Sequence, residues 1–402
     1  MAATSEIAIP QCAEDIAPCW VQQVLQKDLP GVTITDVQVK GSINQGEGFT
    51  SDIVAFDAVG IRNGASQRYS LIAKLSDFER PLTILKHWSK DFQIKVDMTE
   101  VKFYSKAVPE LLSVAIPNTE LKSKAGNEDN ANHPVESFKF LPKCYFAATD
   151  PSSMVSVRVM ENLKAQGFSI KANRQSLNHD EMMLTAGALA QLHGLSHRLE
   201  LREGIPLPEK YDWIISLSDA PDVMMESVTY QYQTAVKAFA AAFPDQADLV
   251  ARLEKLEMKV LELLLNEAPG LKVLNHSECW INNIMFKYTE GVPTDVKLVD
   301  WQSPRYLPPT HDLTLLFLCN TSWDVFHNHR DAILAHYHHK LMETLGPNES
   351  SGLQSYTLDQ LKADFKVDCV HGVLARLFRL MVLPADPDLL QILQEIQEWG
   401  VI

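Results

Sequence analysis

The segment Val273-Leu274-Asn275-His276-Ser277-Glu278-Cys279-Trp280-Ile281-Asn282-Asn283 passes from an apolar run into a histidine, a carboxylate two residues later and an asparagine five beyond that. After a loop comes Val296-Lys297-Leu298-Val299-Asp300-Trp301-Gln302. A carboxylate at Glu278 can orient a hydroxyl and take its proton. The amide of Asn283 and the carboxylate of Asp300 are oxygen donors suited to magnesium, which takes few protein ligands beside phosphate oxygens and water. Together these groups supply what phosphoryl transfer to a hydroxyl needs, since positioning and charge neutralisation do most of the work in that reaction.

Leu274-Asn275-His276-Ser277-Glu278-Cys279-Trp280-Ile281-Asn282-Asn283-Ile284-Met285-Phe286 is similar to the L-x-H-G-D-x-W-x-N-N-I-M-F signature of the ecdysteroid-kinase-like family, also called CHK-kinase-like. Val299-Asp300-Trp301-Gln302 is similar to its V-D-F-Q. The resemblance runs through most of the chain and implies a protein-kinase-like fold related to choline kinase and aminoglycoside phosphotransferases. It implies that Asn283 and Asp300 hold the metal, that Glu278 stands where the family has the acid meeting the acceptor hydroxyl, and that His276 buttresses the loop. The chain departs from the pattern at Glu278, where the family has Asp, and at Ser277, where it has Gly. A surface carboxylate is the plain alternative for Glu278, and a loop-capping amide for Asn282.

The same resemblance extends to the front of the chain. Tyr69-Ser70-Leu71-Ile72-Ala73-Lys74-Leu75 is similar to the strand whose lysine contacts the nucleotide phosphates, and Glu100 on the following helix resembles its ion-pair partner. Gly46 and Gly48 lie between two expected strands, where glycines let backbone N–H groups approach phosphates. A hairpin turn accounts for these glycines equally well, and their position upstream of Lys74 favours a nucleotide-covering loop. Val157-Arg158-Val159-Met160-Glu161-Asn162-Leu163 resembles the hinge whose backbone would meet the adenine edge at Glu161 and Leu163, with an ordinary strand end as the alternative. His193, in the L-H-x-L-S ending of an apolar helix, reads as structural. Asp312 looks like the family aspartate that anchors the catalytic loop from the next helix.

The elements needed to position these groups are legible in outline. Residues 11 to 29 read as an amphipathic helix, and strands are expected over 32–39, 51–59 and 68–74, the last two separated by the turn Arg62-Asn63-Gly64-Ala65. Helical spacing returns over 90–114, and the polar stretch 120–137 reads as a mobile insertion. Two strands follow near 143–149 and 154–160. The remainder reads as helices over 179–199, 219–243, 246–267, 322–345, 357–381 and 387–399. The expectation is an α+β, two-lobed fold, with a mainly β N-terminal lobe over 1–162 and a mainly α C-terminal lobe over 163–402.

Composition narrows the class. A chain of 402 residues is enough for two or three ordinary domains or one two-lobed enzyme, and its 46% hydrophobic and 22% charged residues are the make-up of a soluble globular protein. A net charge of -15 argues against nucleic-acid binding, which depends on clustered Lys and Arg. The N-terminal segment lacks a secretory pattern and no apolar run suits a bilayer, so the expected place is the cytoplasm, without a membrane partner. The six cysteines are scattered without a C-x-x-C, and the loose histidine group from His327 to His339 reads as solvated rather than metal-binding.

The leading expectation is an enzyme that binds ATP and Mg2+ between its lobes and phosphorylates a small-molecule alcohol. The family resemblance implies a steroid alcohol such as an ecdysteroid, or a foreign alcohol or phenol. No A-P-E-type segment follows Asp300, which sets the chain apart from protein kinases. The second reading, resting on Glu278, is a catalytically silent protein that binds nucleotide or a small lipophilic ligand. Sequence leaves the oligomeric state open.

Overall fold

The computed structural model describes residues 7–42, 51–77, 90–115, 139–150, 152, 155–171, 175–214, 216, 222–265, 270–346, 352–381 and 384–402. Gly46, Gly48 and the polar stretch 120–137 lie outside them. The chain divides into two compact units, Met1–Pro109 with Leu141–Phe168, and Glu110–Phe140 with Ser169–Ile402. In chain order the elements are α1 (Pro18–Leu25), β1 (Thr33–Ser42), β2 (Asp52–Arg62), β3 (Ala65–Asp77), α2 (Lys90–Lys102), α3 (Val108–Val114), β4 (Cys144–Asp150), β5 (Val155–Glu161), β6 (Phe168–Ile170), α4 (His179–Glu203) and α5 (Leu207–Lys210). There follow α6 (Asp222–Ala242), α7 (Ala247–Leu265), β7 (Val273–Asn275), β8 (Ile284–Thr289), β9 (Val292–Leu298), β10 (Arg305–Leu307), α8 (Thr310–Asn320), α9 (Arg330–Leu345), α10 (Leu358–Phe378) and α11 (Pro387–Glu398).

The first unit is built on an antiparallel five-stranded sheet in the order β1-β2-β3-β5-β4. The β2–β3 hairpin turns at Asn63 (φ 51°) and Gly64 (φ 79°), the paired positive angles that a two-residue turn matched to strand twist requires. Side chains alternate between the two faces of a strand, so a residue pattern becomes a division of labour. Leu71, Ala73 and Leu75 of β3 and Val157 and Val159 of β5 join the core under α1, with Trp20, Val21, Val24 and Leu25. Lys74, Ser76, Ser156 and Arg158 occupy the intervening positions and are buried among polar partners from α2.

The opening helix is shorter than its periodicity predicts. A 3-10 turn at Ala13–Asp15 is followed by extended backbone at Ala17 (ψ 160°), and α1 starts only at Pro18. Proline disfavours the helical conformation in the residue before it and offers no N–H, so the apolar stripe breaks at Pro18, which starts the helix instead of continuing one. The expected helix over 90–114 is likewise interrupted, by a π-helical segment at Phe103–Ala107 between α2 and α3.

The second unit is mainly helical. Its longest described helix, α4, begins with a reciprocal cap between Asn178 and Glu181 and ends at Gly204 in the left-handed conformation (φ 72°). A Cβ on Gly194 would come within 2.8 Å of the Thr344 side chain, so a glycine lets α4 and α9 approach closely. The region between the two site segments is a hairpin of β8 and β9 rather than the expected loop, turning at Glu290 (φ 53°) and Gly291 (φ 82°). The strands β7 and β10 pair antiparallel, with Asn275 opposite Arg305. The helix α8, missing from the expected helical spans but implied by the resemblance at Asp312, carries that residue on its first turn.

Candidate active site

In the first unit, Lys74 Nζ lies 2.8 Å from Glu100 Oε2, and both residues are buried. Sequence reasoning paired these two residues. It missed Arg158, 1% exposed, whose Nη2 reaches the same Glu100 oxygen at 3.1 Å and whose Nη1 reaches Asp97 Oδ1 at 2.8 Å. Ser76 Oγ donates to Asp97 at 2.6 Å, and Ser156 Oγ donates to its other oxygen. The signal for Arg158 was available, since it is the one charge between Val155 and Met160 in a strand buried throughout that span. A charged residue is almost never fully buried without a partner.

The hinge residues are bonded locally. Glu161 accepts from Lys143 N (3.0 Å) and Gln166 Nε2 (2.8 Å) through its carboxylate, and Asn162 N donates to Ser70 O at 3.1 Å. Leu163 is buried, and its carbonyl accepts from Gln166 N and Phe168 N, both at 3.0 Å.

In the second unit, the loop carrying Glu278 is suspended from Asp312. The Asp312 carboxylate accepts from the backbone N–H of His276 and of Ser277, each at 2.7 Å, and from His193 Nε2 at 3.2 Å. His193 is held in turn by Tyr337 Oη, 2.6 Å from its Nδ1. Burial works to raise the Asp312 pKa, but the His193 hydrogen bond and the nearby His193, His276 and His311 outweigh it and leave the pKa below the ordinary value. Asp312 therefore anchors the loop, as the resemblance implied, and His193, read from sequence only as structural, supports that anchor.

His276 ties the two site segments together. Its Nδ1 accepts from Glu278 N at 3.2 Å, and its Nε2 lies 3.0 Å from Val299 O, the residue before Asp300. Its ring meets the buried Trp301 edge to face, 4.4 Å between centroids. With both nitrogens engaged it buttresses the loop. Glu278 is half-buried, and its carbonyl accepts from Trp280 N (2.7 Å) and Asn283 Nδ2 (3.0 Å). Asn282 is exposed.

Asn283 and Asp300 are brought together through the backbone, because Val299 N donates to Asn283 O at 2.9 Å. The bond from Asn283 Nδ2 to Glu278 turns the amide oxygen to the opposite side. Asp300 adopts φ 67°, a left-handed conformation that L-residues seldom occupy and that marks strain at functional positions. An amide oxygen and a carboxylate make a hard-oxygen pair of the kind magnesium takes alongside phosphate oxygens. Ser277 also has positive φ, at 63°. The family glycine at this place is explained by that angle, and the serine adopts it regardless.

Two histidines of the group from His327 to His339, which sequence read as solvated, have bonded protein partners. His327 Nδ1 lies 2.9 Å from Glu395 Oε2, and His338 Nε2 lies 2.7 Å from Tyr356 O. Among the described residues, no group of three or more His, Cys, Asp or Glu side chains is placed to hold a metal ion. Among them, too, no helix is long and apolar enough to cross a membrane.

The model of the ecdysteroid kinase-like family matches residues 45–347. The chain belongs to that family. Its first unit is rich in β-strand and its second is mainly helical, as the α+β expectation had it. Among solved structures, wild-type aminoglycoside 2′-phosphotransferase-IIIa, in its GDP complex, is similar at 11% identity and a TM-score of 0.38, with 96% of this chain and 98% of that one covered. A microcompartment-associated aminopropanol kinase is similar at 10% identity and a TM-score of 0.37, covering 93% and 94%. No curated protein sequence matches the chain significantly.

Proposed function

We propose that this ecdysteroid kinase-like protein is an ATP-dependent phosphotransferase acting on a hydroxyl of a small molecule, with a steroid alcohol such as an ecdysteroid, or a foreign alcohol or phenol, as acceptor. The observation that carries the reading is the loop fixed by Asp312 and His276, which sets Glu278 and Asn283 beside the segment of Asp300. Lys74, held by Glu100, binds phosphate oxygens of the nucleotide. Asn283 and Asp300 supply the oxygen ligands for magnesium, which when bound neutralises charge on the phosphates. Glu278 orients the acceptor hydroxyl and takes its proton as the new O–P bond forms. The bond from the γ-phosphorus to the β,γ-bridging oxygen breaks, and ADP carries away that electron pair.

Turnover is expected to be modest. Glu278 is hydrogen-bonded through its backbone to His276, Trp280 and Asn283, so the backbone has little room to compensate for a longer side chain. The extra methylene moves the carboxylate by about an ångström, and a misplacement of that size can lower a rate by roughly a hundredfold. The same observation supports the second reading, a silent kinase-like protein that binds nucleotide or a small lipophilic ligand.

A thermal-shift titration with Mg-ATP, followed by phosphate-transfer assays over a panel of steroid alcohols and phenols, separates the two. A ligand that binds the native state raises the melting temperature by mass action, and Asp300→Ala should remove most of that rise. No rise at millimolar Mg-ATP would refute the enzyme and the nucleotide-binding form of the second reading, leaving only a binder of a small lipophilic ligand. A rise without transfer to any acceptor would leave the silent protein.

A further inference from the structure

We infer that Arg158 is a positioning residue for Lys74: from the neighbouring strand it holds Glu100, so that a cluster of four charges, rather than one ion pair, presents the lysine to a nucleotide phosphate. This rests on the nucleotide-binding role proposed for Lys74. Lys74 and Arg158 are direct partners across β3 and β5, on the face turned to α2. Like charges placed opposite each other in a sheet repel, and an arginine cannot relieve the repulsion by losing its proton. Both cations are nonetheless buried.

Two carboxylates on one face of α2 make this possible. Asp97 and Glu100 are three residues apart, which brings them to the same side of the helix. The guanidinium spans them, with Nη1 2.8 Å from Asp97 Oδ1 and Nη2 3.1 Å from Glu100 Oε2. A rigid two-point fork of this kind fixes direction as well as distance. It sets how α2 lies on β5, and so where Glu100 stands when Lys74 meets it at 2.8 Å.

The arrangement also bears on the bound state. When Lys74 turns part of its charge to a phosphate, a buried Glu100 with no other cation would be left uncompensated, at a cost of several kcal/mol. Arg158 shares the same oxygen and keeps Glu100 neutralised. Two cations and two carboxylates balance, so the lysine can serve the ligand without stranding its partner.

The competing account is that Arg158 merely offsets the charge of Asp97. Melting temperature and the calorimetric Kd for Mg-ATP, measured on wild type, Arg158→Met, Arg158→Lys and the double variant Arg158→Met/Asp97→Asn, separate the two. Arg158→Met should lower the melting temperature and weaken Mg-ATP by about tenfold or more, the worth of one charge-assisted hydrogen bond to a phosphate. The double variant restores the charge balance and should recover most of the melting temperature while its affinity stays weakened. Arg158→Lys keeps the charge without the fork and should bind Mg-ATP more weakly than wild type. Wild-type affinity in the double variant or in Arg158→Lys would overturn the inference. Absence of Mg-ATP binding by the wild type would instead overturn the nucleotide reading on which it rests.

Discussion

The backbone N–H of Ser277 donates to Asp312 over 2.7 Å from a residue held at φ 63°. The neighbouring His276 N–H donates to the same carboxylate, also at 2.7 Å. One buried side chain on α8 thus dictates the backbone conformation of the residue just before Glu278. The Ser277 hydroxyl is buried and has no hydrogen-bond partner among the described residues.

Ser277→Gly should therefore stabilise the protein. An L-residue in the left-handed region carries a penalty of roughly 1–2 kcal/mol, and a buried hydroxyl without a partner adds to it. The added chain entropy of glycine in the unfolded state offsets part of the gain. A net rise of about 1 kcal/mol, read from urea unfolding with unchanged slope, is expected. A fall would mean that the Cβ or hydroxyl makes a contact that matters more than the angle.

Asp312→Asn should destabilise the loop. The amide offers one acceptor oxygen where two N–H groups and His193 now converge on a carboxylate, and each hydrogen bond to a charged group is worth about 1.5–3 kcal/mol. The folded pKa of Asp312 lies below the ordinary value, so its contribution is present above the unfolded value near 3.9 and is lost as pH falls through the folded pKa. Asn should remove that acid-range dependence while lowering stability at neutral pH, which unfolding curves at pH 3 to 7 would resolve.

A histidine pair beside the loop predicts a separate pH dependence. Burial, with Arg305 beside it, pushes His311 down to about 3, and the same two causes push His371 down to about 4. The rings stand 6.0 Å apart. Below about pH 6.5 the unfolded chain takes up protons that the folded protein refuses, so stability should fall with pH between about 6.5 and 4, by at most about 1.4 kcal/mol per pH unit for each histidine. His311→Asn/His371→Asn should flatten this slope. A slope unchanged in the double variant would locate the titrating groups elsewhere.

The role proposed for Glu278, orienting the acceptor hydroxyl, is tested at that position directly. Glu278→Gln should lower turnover by roughly a hundred- to ten-thousandfold, the contribution of a positioned acid or base. Glu278→Asp should raise it if the acceptor lies where a shorter acid would reach, and lower it if the pocket has adapted to glutamate. Equal rates in all three proteins would remove Glu278 from the chemistry.

Sequence alone singled out the segment from His276 to Asn283 and the aspartate at 300, because each lies in a local motif that specifies residue type. The pairing of Lys74 with Glu100 and the anchoring by Asp312 were implied by the family resemblance, and the structure shows the contacts themselves. The departure at Ser277 was legible from that resemblance too, since a glycine position announces an unusual φ. Tertiary structure decided the rest. Arg158 lies 61 residues from Asp97, and only the packing of α2 against β5 places the two 2.8 Å apart. Strand alternation put Arg158 on one face, but which carboxylates that face meets depends on the helix laid across it. The true start of α1 lay with Pro18 rather than with the apolar stripe, and the link from His276 to Val299 spans a hairpin that local spacing presented as a loop. Periodicity describes a surface that must be buried, whereas the partner that buries it is chosen by the rest of the chain.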